Sequence, residues 1–80
     1  MNTRLTINLN DFAKARKFSN ETSKFLSEID VIRGRYVVDG KSTLGILTID
    51  LSKPVDVEIH SSDPYEIKRF NDIMSEFVQE

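Results

Sequence analysis

After Pro54 the chain reads VDVEIH, apolar at Val55, Val57 and Ile59 and polar at Asp56, Glu58 and His60. A period of two sustained over six residues marks a strand with one dry face and one wet face. Such a strand cannot stand alone. Its apolar face needs a cover while the polar face stays open. The chain has 80 residues with which to supply that cover. At that length folding removes only about 60–65% of the unfolded surface from water, so a single thin domain over residues 1–80 is expected.

The neighbours of that strand can be read from the rest of the pattern. RLTINL alternates again, with Leu5, Ile7 and Leu9 on one face and Arg4, Thr6 and Asn8 on the other. From Asn10, read as the N-cap with Asp11 in the first turn, the residues Phe12, Ala15, Phe18, Thr22, Phe25 and Leu26 recur at three and four. They describe the apolar stripe of a helix, with Lys17, Glu21 and Lys24 opposite and Lys14 and Arg16 at its edges. Ile29 to Arg33 and Arg35 to Asp39 are β-rich runs broken at Gly34, which predicts a hairpin. KSTLGIL is long enough for one or two turns capped by Ser42 and carrying Leu44 and Leu47. SSDPYEI opens a last helix with Asp63 as N-cap, Pro64 at the first position and Glu66 where a capping-box acid belongs. Its apolar face is Ile67, Phe70, Ile73 or Met74, and Phe77. The order β-α-β-β-α-β-α predicts an α+β open-faced β-sandwich: a four-stranded sheet with three helices on one face.

Composition narrows the function classes. With 39% hydrophobic and 30% charged residues this is the composition of a soluble globular domain. No apolar run approaches the roughly 18 residues that cross a bilayer, so no membrane partner is expected. The first residues alternate rather than forming an apolar h-region, so export is not expected either. The absence of cysteine removes disulfides, thiolate catalysis and zinc-sulfur sites, and fits a cytoplasmic location. A net charge of -2 gives no overall pull toward nucleic acid, and of the aromatics an RNA-binding sheet would display only Tyr36 is on offer.

Three motifs invite chemistry. Gly40-Lys41-Ser42-Thr43 spells the end of a phosphate-binding loop, but the glycine needed five positions earlier is Arg35, and RYVV leading into Gly40 favours a strand. His60 is the one histidine and hence the obvious general base, yet the alternation places it on a polar face with no nucleophile or second ligand in view. Asp56 and Glu58 beside it complete no metal site, and no cofactor is implied. Lys14, Arg16, Lys17 and Lys24 make the first helix basic, either as a solvated face or as a docking surface for an acidic partner.

From Lys24 to Glu66 the sequence resembles the histidine-containing phosphocarrier (HPr) family of the bacterial sugar phosphotransferase system. The resemblance rests on the lysine-aromatic end of the first helix, the hairpin, the Lys-Ser-x-x-Gly element from Lys41 to Gly45, the strand VDVEIH and a final helix opening on an acid. It implies the same β-α-β-β-α-β-α fold. Family members carry Gly-x-His-Ala-Arg-Pro-Ala at the start of the first helix, where the histidine accepts phosphate. Here that place reads NLNDFAKARKF, with Asp11 near the histidine position and Lys14 near the proline.

By the same resemblance Ser42 matches the regulatory serine, the alternative being a plain N-cap. Leu44 and Leu47 fall where the family presents apolar residues to partners, the alternative being the core. The resulting expectation is a non-catalytic HPr-like protein that acts by protein contacts involving Lys14, Arg16, Lys17, Leu44 and Leu47. A regulator phosphorylated on Ser42 is the second reading, and a small ligand-binding enzyme of open-sandwich type the third.

Overall fold

The computed structural model describes residues 2–78. The strands β1 (Arg4–Ile7), β2 (Glu28–Arg33), β3 (Tyr36–Asp39) and β4 (Val55–His60) form one antiparallel sheet in the order β1-β4-β2-β3. The helices α1 (Phe12–Thr22), α2 (Thr43–Ile46) and α3 (Pro64–Met74) complete the expected order of elements. The strictly alternating strand β4 lies inside the sheet, between β1 and β2.

Register turns the alternation of single strands into faces of the sheet. Leu5, Val57, Val31 and Val38 align in one row across all four strands, flanked by the pairs Ile7–Val55 and Ile29–Ile59. Against this apolar face pack Ala15 and Phe18 of α1, Ile46 of α2, and Phe70, Met74 and Phe77 from α3 and the turn after it. The rings of Phe18 and Phe77 meet edge to face at 5.7 Å. That geometry adds about 0.5–1.5 kcal/mol to what their burial contributes. The other face carries Arg4, Thr6, Asp30, Asp56, Glu58 and His60 and, among the described residues, has no helix over it. The hairpin turns at Gly34, whose φ of 59° lies in the left-handed region, and Arg33 pairs with Tyr36 across a two-residue loop.

The structure corrects several local expectations. Asp11, not Asn10, is the N-cap of α1: its carboxylate accepts the Lys14 N–H at 2.8 Å, while Asn10 Oδ1 accepts from Lys14 Nζ at 3.2 Å. The apolar stripe ends sooner than expected because α1 stops at Thr22. Beyond that point the helical period no longer governs side, so Phe25 is buried and Leu26 is 96% exposed. Phe12, the first residue of α1, is 59% exposed.

Glu66 forms no capping box. The Asp63 N–H donates to Ser61 Oγ at 3.0 Å, and Asp63 caps α3 by accepting from the Tyr65 N–H. Glu66 is buried instead against the α1–β2 connection, where Oε1 accepts from the Leu26 N–H, the Ser27 N–H and the Ser27 hydroxyl. Its Oε2 accepts from Arg69 at 2.8 Å. At the end of α3 it is Met74 that is fully buried and Ile73 that is half-buried.

Candidate functional site

The segment from Gly40 to Thr43 is pressed onto α1 by contacts that the local sequence does not announce. Gly40 N–H donates to Ile29 O at 2.7 Å, and a Cβ at residue 40 would lie 2.8 Å from that same oxygen. Only glycine permits the approach. From α1, the buried Thr22 hydroxyl donates to Gly40 O at 2.6 Å, and the Ser19 and Thr43 hydroxyls share a hydrogen bond. Lys41 Nζ donates to Phe25 O at 2.6 Å. Each of these groups is satisfied by a partner rather than by water, which fixes α2 alongside α1.

On α2, Ile46 fills the core and is fully buried, whereas Leu44 is 80% and Leu47 41% exposed. The choice left open for the two leucines is settled toward the surface. The reason is geometric: a helix of four residues has one inward position, and Ile46 takes it. Successive residues of α1 are turned by about 100°, which puts Phe12 and Arg16 on the same side of the helix as Ser19, the residue that touches α2. Phe12 and Arg16 thus lie on the side of α1 that meets α2, whose Leu44 and Leu47 are exposed. Lys14 and Lys17 fall on the other flank of α1. Lys17 Nζ pairs there with Glu76 at 2.7 Å, and the hydrogen bond to that carboxylate raises its pKa above the usual lysine value. The sequence reading missed Phe12 as a surface group because it counted the residue within the core stripe. It also missed Ser19, whose only signal was a polar residue next to Phe18 on the buried side.

Ser42 is the N-cap of α2, half-buried, with Oγ accepting the Gly45 N–H at 3.1 Å. Asp11 stands at the start of α1 with its carboxylate bound into the first turn. His60 is far from Asp11. It ends β4, whereas the chain leaves β1 for α1 beside Val55, the opposite end of β4, roughly 16 Å away along the strand. Its side chain also points to the uncovered face. There Nε2 meets Asp30 Oδ2 at 2.6 Å, and that hydrogen bond, helped by the nearby Glu58 and Glu28, raises the histidine pKa above 6.5. Among the described residues no group of histidines and carboxylates could hold a metal ion, and no helix is long and apolar enough to cross a membrane.

Residues 12–79 match the family model described as the PTS HPr component phosphorylation site. Among solved structures the chain is similar to HPr-C-His of Thermoanaerobacter tengcongensis, with 25% identity, 94% of this chain and 92% of that one covered, and a TM-score of 0.71. It shares its fold with the phosphocarrier protein HPr of Bacillus anthracis at 18% identity, 95% and 99% coverage and a TM-score of 0.70. The fold is also that of the Bacillus subtilis catabolite repression containing protein Crh, at 20% identity, 100% and 94% coverage and a TM-score of 0.65. No curated protein matches the sequence.

Proposed function

The chain belongs to the HPr component family of the phosphotransferase system, and from that premise we propose that it works through protein contacts without carrying phosphate on a histidine. Proteins of this family are phosphocarriers that meet other proteins of the system, not catalysts. The observation that carries the proposal is the position of the one histidine. His60 stands on the uncovered face and at the far end of β4, while the start of α1 presents Asp11. A carboxylate there would form an acyl phosphate, with transfer chemistry different from that of a phosphohistidine, and Asp11 is already engaged as a cap.

What remains for a partner is the surface of Phe12, Arg16, Leu44 and Leu47, an apolar centre with an arginine; aromatic residues and arginine are enriched at protein interfaces. Lys14 and Lys17 extend the basic character of α1 toward α3 and would steer an acidic partner rather than anchor it. The protein would act in the cytoplasm, where the system's other members are met.

Incubation with radiolabelled phosphoenolpyruvate and the upstream enzyme of the system tests the proposal. No stable label is expected, and label on His60 or Asp11 overturns it. A second reading, regulation by phosphorylation of Ser42, is favoured by the position of its hydroxyl beside Leu44 at the edge of the same surface. A phosphate would place about -2 charge next to that apolar centre. Mass spectrometry after treatment with the family's serine kinase decides it, and unmodified Ser42 removes it.

A further inference from the structure

At the hairpin end of the sheet the core gives way to a depression. Along the helix-facing side of β2 the residues run Ile29, Val31, Arg33, and along β3 they run Val38, Tyr36. One step beyond the last aliphatic pair, Val31–Val38, the cross-strand pair is therefore Arg33–Tyr36. A guanidinium and a phenol occupy the side that elsewhere is hydrocarbon. They are faced by the segment after α2, where the Thr48 hydroxyl donates to Gly45 O at 2.6 Å and the half-buried Ile49 packs against the core. Between the two walls, Arg33, Arg35 and Tyr36 on one side and Thr48, Ile49 and Asp50 on the other, lies a volume of about 450 Å³. Small-molecule sites commonly occupy about 300–1,000 Å³.

Three features of this depression ask for the same kind of ligand. Arg33 Nε is buried and, among the described residues, donates to no acceptor. A desolvated donor of that kind is uncommon in a folded protein unless something outside the chain completes it. Arg35, exposed on the turn, brings a second guanidinium to the same wall, and two such forks suit a phosphate dianion. Asp50 stands opposite and is held ionised: hydrogen bonds from Ser52 keep its pKa below the usual value, with Arg33 and Lys53 adding to the effect. A bare anion would be repelled by it, so the body of the ligand must bring hydroxyl or amino donors. The Tyr36 ring, 69% exposed, offers an apolar face on which a sugar or base can lie.

We infer that this depression binds a small organic phosphomonoester, with its phosphate on Arg33 and Arg35, its hydroxyl groups toward Asp50 and its ring against Tyr36. The site is separate from the surface of Phe12, Arg16, Leu44 and Leu47 and does not depend on its use.

Isotope-labelled full-length protein titrated with inorganic phosphate, ribose 5-phosphate and adenosine 5′-monophosphate, followed by amide chemical shifts, tests this directly. Saturable shifts confined to Gly34–Tyr36 and Thr48–Asp50 are expected with an organic ester, which should bind about tenfold or more tightly than inorganic phosphate. Tighter binding of the nucleotide than of ribose 5-phosphate assigns the Tyr36 face to the base, and equal binding assigns it to the sugar. Either result upholds the site. Arg33→Gln is expected to weaken binding about tenfold or more, since it removes a charge-assisted contact. Arg35→Gln, on an exposed turn where folding is not at stake, should do the same. Failure of both esters to saturate these shifts with an affinity of about 1 mM or better, equal binding of inorganic phosphate, or affinity unchanged in both arginine variants overturns the inference.

Discussion

Glu66 carries more of the fold than its position in the sequence suggests. Its carboxylate closes the α1–β2 connection by accepting from two backbone N–H groups and a hydroxyl, across 39 and 40 residues of chain, and it is buried while doing so. Glu66→Ala would leave those donors without a partner, and a loss of about 1–3 kcal/mol is expected in the unfolding free energy from urea denaturation. The capping-box motif pointed to the right residue for the wrong reason. A motif sees three residues of chain, and the competing donors at Leu26 and Ser27 come near only through the fold. Gly34 is the contrasting case. Its break between two β-rich runs was readable as a turn, and its φ of 59° agrees. Gly34→Ala should cost about 1–2 kcal/mol in the same measurement, because a Cβ is disfavoured in that region.

Among the elements, α2 shows most clearly what a short helix needs. Four residues cannot hold helical structure by themselves. Ser42 caps the first turn, the Ser19–Thr43 hydrogen bond ties it to α1, and Ile46 anchors it in the core. Ser42→Ala is expected to lower stability by about 1 kcal/mol. Ile46→Ala should cost about 2–5 kcal/mol, whereas Leu44→Ala should stay within about 0.5 kcal/mol, since one empties a core site and the other trims an exposed side chain. Thermal denaturation of the pair checks both, and equal losses would mean that Leu44 belongs to the core after all. The Leu44–Leu47 spacing reads as a stripe, but one turn of helix contains no repeat from which to learn its facing. The longer α1 and α3 did reveal theirs, through Ala15, Phe18 and Phe70, and the reading failed at Phe12, at the start of α1, and at Leu26, past its end.

Over the molecule as a whole, the uncovered face of the sheet makes stability depend on pH from two directions. His60 has a raised pKa through Asp30, so the stability it contributes is fully present below about pH 6.5 and is lost as pH rises through its folded value. Asp56 has a lowered pKa, through the Thr6 hydroxyl first and Arg4 next. Its contribution is present above about pH 3.8 and is lost as pH falls through the folded value. The urea midpoint should therefore be highest between these limits and decline gently on either side, and His60→Gln should flatten the upper decline. Both groups are near the surface, so the slopes will be shallow and weakened by salt. The elements, their order and the apolar faces of β1 and β4 were set by the sequence alone, because periods of two and of 3.6 are written between near neighbours. The sheet order β1-β4-β2-β3, the placing of His60 away from the start of α1, the outward turn of Leu44 and Leu47, and the gathering of Arg33, Tyr36 and Asp50 around one depression were decided by the tertiary structure. Those outcomes rest on contacts between residues far apart in the chain, and no local pattern records which distant partner will arrive.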